Sequence, residues 1–580
     1  MAIKPPFYLS SNKIYHLSCK TTFLYCGAVN IVIMIDYKKY FPYDQIRPEQ
    51  ETILKEIASH WNDKKYFILQ LDVGTGKSGI AKSVANWSKD AFIITETKQL
   101  QEQYVHDFGK DKEFVSIKGK ANYECNKNVR LNCENGPCTL KKATHLPPCM
   151  ATCKYYTLRK RALASHTVLT SYAYIFRAFD CAGFWKPRQL MAFDECHLLE
   201  DQLVNFASFE INPEELDRTY GLFDLCEDRK DYLAKFTEEG WEANKERFTK
   251  FLNLIQCKRD ELHTMMEEEM DGEDAENLDE DTLESLGKTH KLYYKIDKLY
   301  KKMDVFVSQR KDNWIIAPNA TDGSLSFTPL FIDSLFHQFC NTWAEKFLFM
   351  SATILDIDGF IKDLGINKDD CLVIKMESTF DPAKSPIYYM PCGSMNYQNI
   401  EETLPKACAA IGKILDKKQN EKGIIHTGNY RIAEAIWNDF EHIDRDDHNR
   451  LLVRDKDNNE ITNQNLLRVH ERSKDTVLLS PSMTTGVDLK DDLSRFQIVV
   501  KMPFSSLADP RIKRKSELSS DWYACQMLKT LVQACGRSTR SADDHSATFV
   551  LDSSFNYWIN KYKKWLPNQF LARLKGVTLT

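Results

Sequence analysis

The sequence predicts an α/β protein made of two lobes in tandem, each built on a parallel β-sheet. Short apolar runs recur along the chain with helical patterns between them, and strands that alternate with helices favour a parallel sheet with crossover helices. The first series of runs occupies residues 66–71, 91–95, 167–170, 189–193 and 346–350. The second series occupies residues 423–427, 476–480, 496–500 and 547–551. Two separate series are most simply explained by two lobes.

Length and composition agree with this fold class. A chain of 580 residues corresponds to about three to five folding units. Its hydrophobic fraction of 43% and charged fraction of 28% are typical of globular proteins. The longest apolar stretch, residues 22–35, is shorter than the roughly 20 residues of a membrane helix, so we expect no membrane partner. We interpret residues 1–35 as an N-terminal extension rather than a secretory signal.

Cysteine content and charge indicate the compartment and the class of partner. Seventeen cysteines, an odd number, favour reduced thiols in an intracellular, cytoplasmic protein. The net charge of -4 argues by itself against a nucleic-acid partner. However, residues 267–284 contain eleven acidic and no basic residues, so the rest of the chain sums to +7. Residues 110–162 carry a net charge of +8 and include five of the cysteines, so this segment is the candidate nucleic-acid surface.

A glycine-rich loop follows the first apolar run. The loop reads Asp72-Val73-Gly74-Thr75-Gly76-Lys77-Ser78, and a helical pattern continues to Trp87. A strand, a glycine loop and a helix in this order are typical of the phosphate-binding loop. Glycines let backbone N–H groups approach phosphate oxygens, and the helix N-terminus adds positive potential. We therefore expect Gly74, Thr75 and Gly76 to bind ATP phosphates, Lys77 to reach the outer phosphates and Ser78 to bind Mg²⁺.

An acidic pair follows another predicted strand. The run 190–193 leads directly into Asp194-Glu195-Cys196-His197. We expect Asp194 to hold Mg²⁺ through water and Glu195 to orient and deprotonate the attacking water. A surface Asp-Glu pair is the alternative, but its position behind a buried strand favours catalysis.

The order of five motifs resembles that of a superfamily two helicase. They are the GTGKS loop, the DECH motif, Ser351-Ala352-Thr353, the segment 480–488 and the segment 533–540. The segment Phe41-Pro42-Tyr43 with Arg47 and Gln50 is similar to the adenine-reading segment of the XPD and DinG branch. Cys196 stands where the family usually has Ala, and Leu71 and Asp72 depart from the usual loop.

This resemblance implies two RecA-like P-loop motor lobes that close on ATP. Ser351 and Thr353 should couple the ATP site to lobe motion, and Asp488 should contact the nucleotide ribose or a magnesium-bound phosphate. Arg537 and Arg540 are three residues apart, so on a helix they share one face. With Gln533 beside them, we expect both to act as arginine fingers, which stabilise the charge of the phosphoryl-transfer transition state.

Five cysteines form a cluster between Lys77 and Asp194. They are Cys125, Cys133, Cys138, Cys149 and Cys153. Their spacing alone admits a zinc site, with Cys133-x4-Cys138 and Cys149-x3-Cys153 as two ligand pairs. The resemblance to the XPD and DinG branch implies instead a four-iron four-sulfur (4Fe-4S) cluster held by Cys125, Cys138, Cys149 and Cys153, with Cys133 spare.

The basic residues around these cysteines alternate with Tyr123, Tyr155 and Tyr156. Cations that follow phosphates and aromatic rings that stack on bases suit single-stranded nucleic acid; the alternative is that the tyrosines only pack the metal centre. A second insert, between His197 and Ser351, corresponds in position to the arch domain of the XPD branch. The resemblance implies that both inserts enclose a pore for one strand.

These inferences predict a division of the chain into an extension (1–35), a first lobe in three parts (36–110, 164–205 and 326–378), an iron-sulfur domain (111–163), an arch-like insertion (206–325) and a second lobe (379–580). The predicted function is an ATP-dependent DNA helicase that uses ATP, Mg²⁺ and a 4Fe-4S cluster. We expect a monomer that moves 5' to 3' on single-stranded and forked DNA in repair, replication or recombination. The alternatives are an RNA helicase, a translocase that does not unwind, or a nucleic-acid-binding scaffold with a zinc module that uses ATP as a switch.

Overall fold

The computed structural model describes residues 35–72, 74–126, 132–134, 151–180, 185–222, 240–268, 280–309, 311–319, 324–442, 449–453, 463–481, 489, 491–536 and 544–579. The predicted N-terminal extension lies outside these residues, apart from Ile35. All structural statements below refer to the described residues.

The first lobe is built on seven parallel strands. In chain order they are β1 (Tyr66–Leu71), β2 (Ala91–Thr95), β3 (Phe114–Ser116), β4 (Thr167–Ser171), β5 (Arg188–Asp194), β9 (Ala344–Ser351) and β10 (Cys371–Met376). Their order in the sheet is β10-β1-β9-β5-β2-β4-β3, and every pairing is parallel. The five predicted runs are confirmed as β1, β2, β4, β5 and β9. The two strands that were not predicted, β3 and β10, are the two edges of the sheet.

The second lobe contains another seven-stranded parallel sheet. Its strands are β11 (Ile387–Gly393), β12 (Gly423–His426), β13 (Leu451–Val453), β14 (Val477–Ser480), β15 (Phe496–Val499), β16 (Ala547–Asp552) and β17 (Leu574–Lys575). They lie in the order β13-β14-β12-β15-β16-β11-β17. The four predicted runs are confirmed as β12, β14, β15 and β16. The prediction of two tandem α/β lobes is therefore correct.

Helices connect the strands and cover the sheets. In chain order they are α1 (Pro48–Ser59), α2 (Lys77–Trp87), α3 (Lys98–Phe108), α4 (Lys154–Ala164), α5 (Tyr172–Asp180), α6 (Leu199–Ala207), α7 (Pro213–Tyr220), α8 (Gly240–Glu268), α9 (Glu280–Ser308), α10 (Asp333–Phe336), α11 (Ile357–Asp363), α12 (Ile400–Lys417), α13 (Tyr430–His442), α14 (Asn463–Arg472), α15 (Pro510–Leu518), α16 (Ser520–Cys535), α17 (Phe555–Lys561) and α18 (Asn568–Ala572). No helix within the described ranges is long and apolar enough to cross a membrane.

The second insert combines the long helices α8 and α9 with a small antiparallel sheet. This sheet contains β6 (Phe209–Ile211), β7 (Trp314–Pro318) and β8 (Leu325–Pro329) in the order β6-β8-β7. The Phe209 and Phe327 rings stack across it with centroids 4.5 Å apart. Phe248 of α8 and Phe306 of α9 pack with centroids 5.1 Å apart, and both are buried. A shared aromatic core therefore fixes the helices to the sheet.

Two strand pairings bear on the predicted domain boundaries. The strand β3 pairs with β4 in the first sheet, so residues 114–116 belong to the first lobe and not to the cysteine insert. The strand β8 continues past residue 325 and pairs with β6 and β7, so the second insert extends to Pro329. In both cases strand pairing with a distant segment, which the local sequence does not reveal, decides where the segment belongs.

Candidate active site

The central strands of the first sheet bring three motifs to one edge. Neighbouring strands β1, β9 and β5 run parallel, so their carboxyl ends meet at the same side of the sheet. β1 ends at Leu71 before the glycine loop, β9 ends at Ser351, and β5 ends at Asp194. The carboxyl edge of a parallel sheet is where ligands bind in open α/β folds. Residues that are far apart in sequence therefore form one site.

The glycine loop has the backbone shape that phosphate binding requires. Gly74 has φ 87° and Gly76 has φ 77°, a left-handed region that side chains other than Gly rarely adopt. A Cβ atom at Gly76 would also collide with the Gln50 side chain. Lys77 begins α2, so the loop leads into a helix N-terminus as predicted. The loop can therefore present its backbone N–H groups together with the helix terminus to an anion.

Arg47 and Gln50 support the loop from the preceding segment. Arg47 Nη1 donates to Gly74 O at 2.7 Å, and Gln50 Nε2 donates to Thr75 O at 3.2 Å. Gln50 is buried and also accepts from the Arg47 backbone N–H at 3.2 Å. The resemblance implied that these side chains read the adenine. In the structure both side chains donate hydrogen bonds to backbone carbonyl groups of the loop. The backbone N–H groups of the loop are not used by these two contacts.

Asp72, which departs from the family pattern, ties the loop to the segment that leads into the second lobe. Its Oδ2 accepts from the Ser378 backbone N–H at 3.0 Å, and its backbone O accepts from the Thr75 hydroxyl at 2.8 Å. Burial raises the pKa of Asp72, while the Ser378 hydrogen bond and Lys77 oppose this rise. Asp72 therefore has a structural role at this position.

Lys77 and the acidic pair lie together at the sheet edge. Lys77 Nζ is 3.9 Å from Glu195 Oε1, and it also donates to Leu71 O at 3.5 Å. Asp194 accepts from the Tyr104 hydroxyl at 2.8 Å and from the Glu195 backbone N–H at 3.0 Å. Glu195 has φ 54°, a strained conformation for a non-glycine residue, of the kind that clusters at functional sites. The predicted association of Lys77, Asp194 and Glu195 is therefore present.

Burial and charge separate the two carboxylates. Burial raises the pKa of Asp194, and the neighbouring Glu195 charge adds to the rise. Burial acts on Glu195 in the same direction, but the Lys77 charge and the His197 hydrogen bond outweigh it, so the pKa of Glu195 is lowered. Glu195 is therefore ionised and able to accept a hydrogen bond from water. A buried carboxylate with one hydrogen bond to each oxygen, as at Asp194, has lone pairs left for the water shell of Mg²⁺.

A chain of hydrogen bonds connects the second lobe to Glu195. Gln533 of α16 reaches His197 Nε2 at 2.5 Å and the Thr353 hydroxyl at 2.9 Å. His197 Nδ1 lies 2.7 Å from Ser351 Oγ, and the Ser351 hydroxyl donates to Glu195 Oε2 at 3.3 Å. His197 Nδ1 also lies 3.3 Å from Glu195 Oε2, so the imidazole contacts the carboxylate directly as well as through Ser351. We call Gln533, His197, Thr353, Ser351 and Glu195 the relay.

Three predicted nucleotide residues lie outside the described part of the chain: Asp488, Arg537 and Arg540. Helix α16 ends at Cys535, two residues before Arg537. Their roles therefore stay predictions. Sequence reasoning did not select His197 or Tyr104 as site residues. The fourth position of the DECH motif could have indicated His197, whereas no local pattern marks Tyr104.

The described cysteines of the insert are Cys125, Cys133 and Cys153, and all three are buried. Cys138 and Cys149 lie outside the described residues. Cys133 Sγ is 3.6 Å from Cys153 Sγ. In a tetrahedral zinc site with Zn–S bonds of about 2.3 Å, two ligand sulfurs lie about 3.8 Å apart, which is similar to this distance. In a 4Fe-4S cluster, by contrast, each thiolate binds a different iron ion. Cys133, predicted to be spare, is thus a close neighbour of a predicted ligand. No group of three or more potential metal-binding side chains occurs among the described residues.

The three tyrosines of the insert differ in their surroundings. Tyr155 is buried and packs against Tyr123 at 5.7 Å and Tyr156 at 5.3 Å between ring centroids. The Tyr123 hydroxyl accepts from the Lys118 backbone N–H at 2.9 Å. Tyr156 is half-buried, and Arg159 lies 4.8 Å from its ring centroid. Tyr155 is therefore a packing residue, whereas Tyr123 and Tyr156 are both half-buried and stay candidates for stacking on a base.

Two family models match the chain, one in the first half and one in the second lobe. The model described as DEAD_2 matches residues 77–216, from Lys77 of the glycine loop through the cysteine insert and the acidic pair. The model described as the helicase C-terminal domain matches residues 411–572 in the second lobe.

Full-length relatives and solved structures agree with these matches. A "probable ATP-dependent helicase" of Methanocaldococcus jannaschii is 21% identical, and the match covers 90% of this chain and 94% of that protein. The ATP-dependent DNA helicase CHL1 of Candida albicans is 20% identical over 72% of this chain and 59% of its own length. Among solved structures, an XPD helicase superposes with a TM-score of 0.60 at 15% identity over 90% of this chain and 98% of that one. The structure of S. tokodaii Xpd4 gives a TM-score of 0.53 at 14% identity over 91% and 99% of the two chains.

Two RecA-like lobes with a glycine-rich loop, a neighbouring acidic pair and a relay of hydrogen bonds between the lobes define the class of ATP-hydrolysing motors. The chain belongs to the superfamily two helicases of the XPD and DinG type. It is an ATP-dependent helicase, as the sequence predicted.

Proposed function

We propose that this helicase unwinds duplex DNA by moving 5' to 3' along one strand. The observation that carries the proposal is the relay, because it joins the catalytic carboxylate to a helix of the opposite lobe. A rigid ATPase needs no such contact, whereas a translocating motor must link hydrolysis to the position of its lobes. The DNA substrate is supported by relatives such as the ATP-dependent DNA helicase CHL1 of Candida albicans, and the polarity rests on the resemblance to the XPD branch.

The chemistry assigns a separate role to each residue of the site. Lys77 binds the outer phosphates, and Ser78 and Asp194 would hold Mg²⁺, which would neutralise charge on the phosphate oxygens. When Lys77 turns toward a nucleotide, its effect on Glu195 weakens, so the carboxylate becomes a stronger base toward the attacking water. Asp488 contacts the ribose or a phosphate, and Arg537 and Arg540 approach from the second lobe to stabilise the transition-state charge.

We propose that the first insert holds a 4Fe-4S cluster through Cys125, Cys138, Cys149 and Cys153. Burial of Cys125 and Cys153 supports this assignment, because a buried cluster is shielded from solvent. The contact between Cys133 and Cys153 makes Cys133 the described thiol best placed to replace a ligand. The cluster would supply a rigid covalent centre for the insert; the DNA contacts are made by the chain's own cations and rings, among them Lys120, Tyr156 and Arg159.

A strand-displacement assay tests the proposal. Protein purified without oxygen is incubated with ATP, Mg²⁺ and DNA or RNA forks that carry either a 5' or a 3' single-stranded tail. We expect displacement of DNA with a 5' tail, and no displacement by the Glu195→Gln variant. Displacement only from 3' tails would refute the polarity. Displacement of RNA alone, or ATP hydrolysis without displacement of any fork, would favour an RNA helicase or a non-unwinding translocase.

A further inference from the structure

A second group of interlobe contacts lies away from the nucleotide. Glu200 of α6, in the first lobe, is buried and accepts from four side chains of the second lobe. Arg511 Nη2 is 2.6 Å from Glu200 Oε1, and Lys515 Nζ contacts the same oxygen. Trp522 Nε1 donates to Glu200 Oε2 at 3.1 Å, and Gln526 Nε2 donates to it at 3.4 Å. One carboxylate thus binds two helices of the opposite lobe, α15 and α16.

The same cations bind further groups of the first lobe and of the second insert. Lys515 lies 3.4 Å from Asp363 of α11, and Arg511 Nε donates to Pro329 O at 2.7 Å. The side chains of Arg511 and Lys515 are 5% and 3% exposed. Because a buried cation without its partner is strongly unfavourable, this cluster holds only when the two lobes are in one relative position.

Helix α16 joins this cluster to the relay. Trp522, Gln526, Lys529 and Gln533 follow each other at intervals of four, three and four residues, so they share one face of the helix. Trp522 and Gln526 bind Glu200, and Lys529 is attracted to Glu200 and Asp363. Gln533 binds His197 and Thr353 of the relay. Trp522 and Gln533 are eleven residues apart, which is about 16 Å along the helix, so the cluster itself does not touch the relay.

We propose that Glu200 is a positioning residue for ATP hydrolysis. Its hydrogen bonds fix one end of α16 to the first lobe. Because the helix is rigid, they also fix the position of Gln533 at the other end, where this side chain joins the relay. This inference rests on the helicase's ATP hydrolysis and does not depend on the choice of DNA or on the polarity of movement.

The test compares ATP hydrolysis with ATP binding in the full chain. Glu200→Gln removes the charge and keeps the size, so α16 loses its strongest anchor. We expect kcat, measured with saturating ATP and oligo(dT), to fall at least tenfold, because small misplacements at a catalytic site can cost up to about 100-fold. The affinity for AMP-PNP should change less than threefold, because the phosphate loop belongs to the first lobe. Glu200→Asp keeps the charge and should retain more of kcat than Glu200→Gln.

A buried cation within one lobe provides the matched control. Arg188 is buried at the start of β5, at the opposite end from Asp194, and donates to Ser165 O at 2.9 Å and His166 O at 2.7 Å. Arg188→Gln should lower the melting temperature and leave kcat unchanged at temperatures where the protein stays folded. If Glu200→Gln behaves like this control, Glu200 only stabilises the fold and the proposal is wrong.

A second variant covers the case in which Glu200→Gln does not fold. Gln526→Leu removes a neutral donor from Glu200 and leaves no unpaired charge, so the fold should persist. We expect a severalfold lower kcat with unchanged AMP-PNP affinity. An unchanged kcat would overturn the proposed transmission along α16. Neither result depends on which fork the protein unwinds, so failure here is distinct from failure of the proposed function.

Discussion

The relay makes a quantitative prediction for the variant Gln533→Ala. This change removes the hydrogen bonds to His197 Nε2 and the Thr353 hydroxyl and leaves the phosphate loop untouched. Each bond contributes about 0.5–1.5 kcal/mol, so the two together amount to about 1–3 kcal/mol. If both act fully in the transition state, kcat should fall by about 5- to 150-fold, at about 1.4 kcal/mol for each tenfold change. AMP-PNP affinity should stay within a few-fold of the parent.

The assay is steady-state ATP hydrolysis with saturating nucleotide and oligo(dT), combined with a double-mutant cycle. Thr353→Val removes the hydroxyl that Gln533 binds and keeps the shape of the side chain. If the two residues act through one contact, the double variant Gln533→Ala/Thr353→Val should lose less activity than the sum of the single effects. A kcat for Gln533→Ala within twofold of the parent, or strictly additive effects in the cycle, would refute the relay as a path between the lobes.

Three further predictions concern the nucleotide site and the metal centre. Lys77→Ala and Glu195→Gln should both abolish ATP hydrolysis, but only Lys77→Ala should weaken AMP-PNP binding, because Lys77 binds phosphate and Glu195 acts on water; normal turnover in either variant contradicts these roles. Gly76→Ala should prevent nucleotide binding, since a side chain at φ 77° is strained and would collide with the side chain behind the loop; equilibrium titration that gives the parent's affinity would argue against this. Anaerobically purified Cys125→Ser should lose its iron and Cys133→Ser should retain it, as metal analysis can measure; zinc in place of iron, or the reverse pattern of retention, would overturn the ligand assignment.

Residues that act within one short segment were found from the sequence. The phosphate loop and the acidic pair each occupy a few consecutive positions after a strand, and their chemistry depends on local backbone geometry. The structure brings Lys77 and Glu195 within 3.9 Å because β1 and β5 flank the same strand, β9. The order of motifs along the chain was sufficient to predict that these segments belong to one site.

Other assignments required the tertiary structure. The hydrogen bonds of Arg47 and Gln50 to the carbonyl groups of the phosphate loop are visible only in the structure, and their predicted role at the adenine stays a prediction. The edge strands β3 and β10 were not predicted from the local sequence, and their pairing places them in the first sheet. Strand pairing and contacts with backbone atoms depend on distant segments, and no local pattern records them.

The sequence by itself determined the fold class, the order of the two lobes and the chemistry of the ATP site, because hydrophobic periodicity and short motifs are properties of neighbouring residues. Only the tertiary structure decided how the two lobes meet. Glu200 looks like an ordinary helical glutamate in the sequence, yet it lies more than 300 positions from the lysine and arginine that it binds. A buried charge is stabilised by the particular groups that surround it, and which groups these are is fixed by the packing of α6 against α15 and α16.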